Sequence, residues 1–365
     1  MSKLIKRFAK FWFLLKKRGF IYTYNYLWVY VLYYNDYARD FIARYMPWLY
    51  SASPQTIEIE ITTRCALRCK MCEHTYWKQL PQEISFEKFK SIIDQLPRLK
   101  WIGLTGIGDS FSHKDFINML SYVKKKNIYV ELFDTFFNLN EEKAKALVDL
   151  KIDKMIASID GATKETYEKI RLGSDFQKIV TNVKNLINIK KARKAYFPEM
   201  SFHFIASALN LHEMEKYVDF VNALVEGEAV EIFFTKLLHP FEEIQQIAVD
   251  IPEDIIKKVE IKGKALNQII RWNVNVPAQK QAIRNCSAWM IPFVFASGQV
   301  VPCCAGNEAN QRDFQIKTSL GNVFKDKFST IWQSDKYQQF RKDIFNNKVP
   351  IPCKFCTIYD VSRKK

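Results

Sequence analysis

The sequence predicts an α/β fold: a partial (β/α)6 barrel with a helical N-terminal extension and a small cysteine-rich C-terminal domain. Three observations carry this prediction. Strand-like runs alternate with amphipathic helices in the middle of the chain, which is typical of a parallel sheet with helices outside. The eight cysteines fall into two groups, three in residues 65–72 and five after residue 285. The segment before the array is basic and aromatic. The predicted parts are the extension 1–54, the core 55–236, a linker or helical segment 237–282 and the cysteine-rich domain 283–365.

The N-terminal extension has the pattern of a basic amphipathic helix. Apolar side chains recur at helical spacing between lysines and arginines: Leu4, Ile5, Phe8, Phe11, Trp12 and Leu15. The next stretch, 20–34, carries seven tyrosines or tryptophans and is too short and too polar for a membrane span. Two interpretations stay open. Residues 1–34 either pack as helices on the protein's own surface or lie in the headgroup region of an anionic membrane.

Composition predicts a cytoplasmic protein. Its 365 residues are 48% hydrophobic, enough for a large core and a smaller domain. A secretory signal is not expected, because Lys16, Lys17 and Arg18 interrupt the first apolar stretch. The net charge of +16 suggests an anionic partner, namely a substrate, a nucleic acid or a lipid surface. Under the second interpretation of the extension, the protein would be peripheral on the membrane.

The core is predicted to contain six strands joined by helices, too few to close an eight-stranded barrel. The candidate strands are 56–62, 101–104, 129–133, 154–159, 201–206 and 230–235. In such arrays the reacting groups sit at the carboxyl ends of the strands. After the core, Ile251-Pro252-Glu253-Asp254 indicates the start of a helix.

Three cysteines follow the first candidate strand directly. They are spaced C-x3-C-x2-C: Cys65, Cys69 and Cys72. Three thiolates hold three irons of a [4Fe–4S] cube and leave the fourth iron open to a small molecule. A zinc site is the alternative, with His74 as the fourth ligand. The basic residues around the thiolates and the position after a barrel strand favour iron–sulfur.

This cysteine motif, after strand one of a βα array, resembles that of the radical S-adenosylmethionine (radical SAM) superfamily. The resemblance implies that residues 55–236 are a radical SAM core whose open iron is chelated by the amine and carboxylate of S-adenosylmethionine. It implies reductive cleavage of that molecule to a 5′-deoxyadenosyl radical, which takes a hydrogen atom from the substrate. An external electron donor such as flavodoxin or ferredoxin is then a partner.

Further positions extend the resemblance to the S-adenosylmethionine site. The turn after strand two resembles the family's Gly-Gly-Glu-Pro turn, which binds the cofactor's amine. It contains Gly106, Gly108 and Asp109, with Asp in the place of Glu.

The segment after strand four resembles the family's Ser-x-Asp-Gly segment, which contacts the ribose and carboxylate of the cofactor. Ser158 and Asp160 match it, and Arg171 follows. Asp160 as a cap of the next turn and Arg171 in a surface ion pair are the alternatives. We assign no catalytic side chain from the sequence.

The second cysteine group predicts an auxiliary cluster. Four thiolates at these intervals suit a tetrahedral zinc site or a cubane: Cys286, Cys303, Cys353 and Cys356. The region resembles the SPASM/twitch extension of radical enzymes. Because it lacks the later cysteines of a full SPASM domain, the resemblance implies one auxiliary [4Fe–4S] cluster in residues 283–365. Cys304, adjacent to Cys303, is expected to be spare.

The predicted function is that of an iron–sulfur, oxidoreductase-like radical SAM enzyme. We expect oxidation or another modification of a carbohydrate-like or lipid-linked substrate. A peptide-modifying radical SAM/SPASM maturase is the first alternative. A non-catalytic zinc- or cluster-binding adaptor that holds nucleic acid is an alternative of another class. The βα array and the pair Ser158 and Asp160 fit catalysis better, so nucleic acid is not expected as a partner.

Overall fold

The computed structural model describes residues 3–51, 53–237, 240–272, 281–304, 312–356 and 358–361. The strands in chain order are β1 (Thr56–Ile59), β2 (Arg68–Cys69), β3 (Trp101–Leu104), β4 (Tyr129–Asp134), β5 (Lys154–Ser158), β6 (Arg171–Leu172), β7 (Glu199–Ala206), β8 (Glu231–Lys236), β9 (Ile269–Trp272), β10 (Gln281–Ala282), β11 (Phe293–Val294), β12 (Gln299–Val301), β13 (Gly321–Asn322) and β14 (Tyr359–Asp360).

The α-helices are α1 (Lys3–Trp28), α2 (Asp36–Tyr45), α3 (Trp48–Ser51), α4 (Glu73–Tyr76), α5 (Phe86–Asp94), α6 (Phe116–Lys125), α7 (Glu141–Asp149), α8 (Lys164–Ile170), α9 (Phe176–Ala192), α10 (Met214–Leu224), α11 (Glu253–Ala265), α12 (Arg312–Lys317), α13 (Phe328–Gln333) and α14 (Asp335–Phe345). A π-helical turn, Val29–Tyr33, continues α1. Helix α1 is kinked at Gly19, whose φ of +81° is a conformation that side-chain-bearing residues rarely adopt.

One ten-stranded sheet organises the chain. Its order is β13-β12-β11-β1-β3-β4-β5-β7-β8-β9. The neighbours from β11 through β1 to β9 are parallel, and β11-β12-β13 are antiparallel. The predicted α/β class with a mostly parallel sheet is confirmed. Each of the six candidate strands overlaps an observed one.

The sheet also contains strands that periodicity did not reveal. Strand β9 lies within the predicted linker 237–282 and extends the parallel sheet beside β8. Part of that predicted linker, residues 238–239 and 273–280, falls outside the described residues. Strand β11 belongs to the cysteine-rich region and pairs with β1. The C-terminal region therefore continues the same sheet beside β1, the strand that precedes Cys65, Cys69 and Cys72.

The N-terminal extension packs on the amino ends of the strands. Tyr33 stacks on Trp101, the first residue of β3, with ring centroids 4.3 Å apart. The Tyr26 hydroxyl donates to Glu199 at the start of β7 over 3.1 Å. The Asn25 amide donates to the carbonyl oxygen of Asn127, just before β4, over 3.1 Å. One face of the extension is thus docked on the amino ends of the strands, as the first interpretation expects. Within the described ranges, no helix is long and apolar enough to span a membrane.

Candidate active site

The first cysteine group lies in the loop that follows β1. Cys69 is in β2, which pairs antiparallel with β6, so that Cys69 stands opposite Arg171. The carbonyl oxygen of Cys69 accepts the N–H of Cys72 at 3.0 Å and the hydroxyl of Thr75 at 2.6 Å. These bonds hold the loop in a tight turn at the carboxyl end of β1.

Cys69 is buried and Cys65 and Cys72 are half-buried, and the pKa values of all three thiols are raised. Burial raises the pKa of the Cys65 thiol to about 11, and the nearby Cys69 adds to the rise. Burial raises the pKa of Cys72 as well, with Cys69 as the next cause. Burial raises the pKa of Cys69, while the adjacent Arg171 opposes that rise. Buried thiols that disfavour each other's ionised forms become thiolates when a bound cation compensates the charge. This donor set fits an iron–sulfur cluster.

Arg171 and Asp160 form a buried ion pair beside Cys69. The Arg171 Nε donates to Asp160 Oδ2 over 2.7 Å, and Nη1 lies 3.8 Å from the Cys69 sulfur. The side chains are 9% and 0% exposed, so the surface ion pair considered for Arg171 is wrong. The other oxygen of Asp160 accepts the N–H of Ile205 in β7 at 2.8 Å. Asp160 therefore fixes Arg171 next to the cysteine loop.

Ser158 lies at the last position of β5, two residues before Asp160. It is half-buried and stands in register with His203 of β7. Burial lowers the pKa of His203 to about 4, and its ring nitrogen lies 3.0 Å from the hydroxyl of Thr235 in β8. A neutral imidazole thus neighbours Ser158 near the carboxyl end of the strands. The sequence reasoning missed His203, because a single histidine in an apolar strand carries no motif.

The turn after β3 lies directly against the cysteine loop. A Cβ added at Gly108 would lie 2.2 Å from the carbonyl oxygen of Thr62 and 2.9 Å from that of Arg64. The N–H of Asp109 donates to the carbonyl oxygen of Arg64 over 2.7 Å. The glycine is required because two backbone segments touch at this point.

Asp109 is buried and its carboxylate already has partners. One oxygen accepts the N–H of Phe111 at 2.8 Å, and the other accepts the side-chain amide of Asn138 at 2.6 Å. Burial raises the pKa of Asp109 and also that of Asp134, which the Asp109 carboxylate raises further. Asn138 and Asp134 were not assigned from the sequence. Asn138 lies 29 residues beyond the motif, so no local signal could have identified it.

Substitution of Gly108 tests whether this turn serves the cofactor. In Gly108→Ala the new methyl group overlaps two carbonyl oxygens, so the turn has to move. We expect S-adenosylmethionine to bind at least about tenfold more weakly, because small misplacements at a reacting site are costly. Equilibrium binding to the reconstituted protein measures this. Gly227→Ala is the control, since it strains a backbone with φ +76° in open space. Unchanged affinity in Gly108→Ala would contradict the assignment.

The second cysteine group gathers in the C-terminal region. Burial raises the pKa of Cys286 to about 12, and Cys303 and Cys356 add to the rise. Burial also raises the pKa of Cys353, with the same neighbours contributing. The four thiols are thus close enough to interact, as a shared cluster requires. Cys304 instead packs against an apolar group: Phe293, Phe295 and Val301.

Among the described residues, no three side chains of His, Cys, Asp or Glu are grouped as a candidate site for one ion.

Comparison with protein families matches both cysteine regions. Residues 59–221 match the Radical SAM superfamily, and residues 286–357 match SPASM, an iron–sulfur cluster-binding domain. The family's cofactors are S-adenosylmethionine and a [4Fe–4S] cluster, and the matched C-terminal domain binds a further cluster. The predicted cofactors are therefore confirmed at the level of the family.

Among curated proteins, several relatives are similar over much of this chain. The tungsten-containing aldehyde ferredoxin oxidoreductase cofactor-modifying protein of Pyrococcus furiosus is 24% identical over 315 residues, which cover 83% of this chain and 87% of that protein. The antilisterial bacteriocin subtilosin biosynthesis protein AlbA of Bacillus subtilis is 24% identical, covering 77% of this chain and 60% of that one. The mycofactocin maturase MftC of Mycolicibacterium smegmatis is 24% identical over 45% of this chain and 41% of its own.

Solved structures show the same fold. Streptococcus suis SuiB bound to S-adenosylmethionine superposes with a TM-score of 0.63 at 14% identity, covering 80% of this chain and 68% of SuiB. The enzyme anSMEcpe with bound AdoMet gives a TM-score of 0.59 at 16% identity, covering 80% of this chain and 84% of that one. The two matched family regions together span more than half of the 365 residues. The chain carries a radical SAM domain in residues 59–221 and a C-terminal SPASM domain in residues 286–357.

Proposed function

We propose that this enzyme is a maturase that modifies a peptide or a peptide-derived cofactor by radical SAM chemistry. The observation that carries the radical SAM part of the proposal is the cysteine loop after β1, held beside the buried pair Arg171 and Asp160. The relatives named above support this substrate class, because one is a bacteriocin biosynthesis protein, one is a mycofactocin maturase and one modifies the cofactor of an enzyme. The carbohydrate-like or lipid-linked substrate expected from the sequence has less support from these relatives.

In this proposal Cys65, Cys69 and Cys72 hold the first cluster. When bound, that cluster and S-adenosylmethionine supply the electron transfer and the hydrogen-abstracting radical. Arg171 places a fixed positive charge next to Cys69, which favours the thiolate form. An external one-electron donor such as flavodoxin or ferredoxin is required, and dithionite replaces it in assays.

The turn after β3 and the end of β5 are proposed to hold S-adenosylmethionine. Gly106 and Gly108 allow close backbone approach, and Ser158 offers a hydroxyl at the rim. Asp109 contributes by shaping its turn, because its carboxylate oxygens are hydrogen-bonded within the protein. Asp160 contributes indirectly, because its hydrogen bond with Arg171 fixes the position of that side chain.

The second cysteine group is proposed to hold one auxiliary [4Fe–4S] cluster. Its ligands are Cys286, Cys303, Cys353 and Cys356. Four protein thiolates leave no open iron, so this cluster would serve electron transfer and would not bind the substrate.

The substrate class is tested with peptides encoded near the enzyme's gene. Anaerobic incubation with enzyme, dithionite and S-adenosylmethionine should change the mass of one such peptide. Omission of S-adenosylmethionine should prevent the change. Oxidation of a small sugar alcohol, with no peptide modified, would contradict the maturase assignment and support the carbohydrate alternative.

We also propose that the exposed face of the N-terminal extension binds an anionic membrane surface. Of the 23 large hydrophobic side chains that are exposed in the described part of the chain, 14 lie between residues 8 and 49. They include Phe20, Tyr37 and Trp48, exposed by 75%, 91% and 61%. The first 50 residues contain nine lysines and arginines but two acidic residues. Aromatic side chains with surrounding positive charge suit the headgroup region of anionic lipid.

The position of this face has a consequence for the substrate. The extension docks at the amino ends of the strands, whereas the cysteine loop follows the carboxyl end of β1. A chain bound to the membrane through the extension would therefore keep the cysteine loop at the far end of the strands. This arrangement supports a substrate that arrives from the aqueous side.

Vesicle flotation tests the membrane proposal. We expect the protein to float with vesicles that contain phosphatidylserine and to bind more weakly as salt rises. Phe20→Ser with Ile21→Ser should weaken binding at least about tenfold, because two exposed apolar side chains are lost. Ile261→Ser, at an exposed residue of α11, is the matched control and should bind normally. No flotation of the unmodified protein at low salt would refute the proposal.

A further inference from the structure

A buried ion pair joins the SPASM domain to the strand that leads into the cysteine loop. Glu60 follows β1 and lies five residues before Cys65. Arg312 is the first residue of α12 in the matched SPASM region. Its Nη1 and Nη2 donate to the two oxygens of Glu60 over 3.0 and 2.9 Å. Both side chains are buried, 0% exposed for Glu60 and 6% for Arg312. Two-point contact of this kind fixes orientation as well as distance.

The Glu60 carboxylate also holds backbone groups from two other segments. Oε2 accepts the N–H of Ile107, in the turn after β3, at 3.1 Å. Oε1 accepts the N–H of Ala296, between β11 and β12, at 3.3 Å. Gly106 leaves the necessary space, since a Cβ there would lie 2.4 Å from Glu60 Cγ. One carboxylate thus connects the turn proposed to bind the cofactor with the SPASM domain.

Arg312 reaches the other end of the cysteine loop. Its Nη2 lies 3.6 Å from Oε1 of Glu73, the residue that follows Cys72. The guanidinium also stacks on the ring of Phe295, 4.0 Å from the centroid. A single arginine of the SPASM domain therefore lies between carboxylates that flank the cysteine loop on both sides.

We propose that Glu60 and Arg312 are positioning residues through which the SPASM domain sets the affinity for S-adenosylmethionine. The pair contacts both the turn at Ile107 and Glu73, the residue after Cys72, and so fixes their positions relative to each other. This inference rests on the proposed assignment of that turn and loop to the cofactor. Movement of the SPASM domain, for example on binding a peptide, would then change cofactor affinity through this pair.

A double variant tests the inference without leaving a buried charge alone. Glu60→Gln with Arg312→Met removes both charges, which avoids the large cost of one unpaired buried ion. We expect the dissociation constant for S-adenosylmethionine to rise about 10- to 100-fold, as for loss of a supporting contact at a metal site. Iron content should stay at about eight per chain. The change that S-adenosylmethionine causes in the EPR spectrum of the reduced protein should need correspondingly more ligand.

A matched control removes a buried ion pair at the opposite end of the strands. Lys124 and Asp153 form such a pair ahead of β5, with side chains 5% and 0% exposed. Lys124→Met with Asp153→Asn should lower the melting temperature but leave cofactor affinity unchanged. This control separates positioning from a general loss of stability.

Each outcome decides the inference. Wild-type affinity in the double variant, with full iron content, would overturn it. If the double variant fails to take up iron, Arg312→Lys decides, because lysine keeps the charge but loses the two-point contact. Unchanged affinity in Arg312→Lys would then overturn the inference, and weakened affinity would support it. If the wild-type protein itself binds no S-adenosylmethionine, the proposed function fails, which is a distinct result.

Discussion

Replacement of Cys69 by alanine should abolish formation of 5′-deoxyadenosine. Cys69 is the central cysteine of its loop, buried beside Arg171. With two thiolates left, the cube that needs three protein ligands is not retained. We expect iron to fall from about eight to about four per chain, and 5′-deoxyadenosine to fall to the level of a blank without enzyme. Iron analysis and chromatography of the quenched reaction measure both quantities.

Cys304→Ala is the matched control for that substitution. Cys304 packs on Phe293, Phe295 and Val301 and is not one of the proposed ligands, although it adjoins the proposed ligand Cys303. Its replacement should leave the iron content and the 5′-deoxyadenosine yield close to those of the wild type. Continued cleavage of S-adenosylmethionine by Cys69→Ala would show that the first cluster is held elsewhere.

Replacement of Cys353 by alanine should remove the auxiliary cluster and leave the first one in place. Burial raises the pKa of Cys353, and the neighbouring Cys303, Cys286 and Cys356 add to the rise. Loss of one of four ligands should lower iron by about four per chain. Since metal binding contributes to folding, the melting temperature should fall by more than about 5 °C. Reductive cleavage of S-adenosylmethionine should persist, because it depends on the first cluster.

The metal content of this variant also separates the two interpretations of the second cysteine group. A zinc site would show about one zinc per wild-type chain, and Cys353→Ala would lose zinc while keeping all its iron. A protein with about four irons and one zinc would therefore contradict the auxiliary [4Fe–4S] assignment. It would leave the assignment of the first cluster untouched.

The features that local pattern predicts correctly are those with a short-range cause. The six core strands are apolar runs bounded by helices, and their period is visible within each segment. Strand β11 has two residues, both buried, and β9 has four residues with alternate side chains exposed. Neither strand is long enough to give a hydrophobic pattern that the sequence alone would reveal. Their place in the sheet depends on pairing with β1 and β8, which local sequence does not encode.

The residues of the candidate site also fall into two classes, those with a short-range cause in the sequence and those that depend on long-range contacts. Cysteine spacing indicates ligand groups because the ligands of one cluster lie close in sequence. The structural role of Asp109 has a local cause that the sequence reasoning did not weigh: a short Asp side chain readily accepts the N–H two residues ahead. The contact of Glu60 with Arg312 joins residues 252 positions apart, which a single sequence cannot reveal. Long-range polar contacts of this kind become visible after folding brings the segments together.

The most direct test of the central claim is EPR spectroscopy of a variant that keeps the first cluster alone. In Cys353→Ala combined with Cys356→Ala, the reduced protein should show the signal of one [4Fe–4S] cluster. Addition of S-adenosylmethionine should change that signal, because the cofactor binds the iron that Cys65, Cys69 and Cys72 leave open. A [4Fe–4S] signal that S-adenosylmethionine does not change would contradict the account.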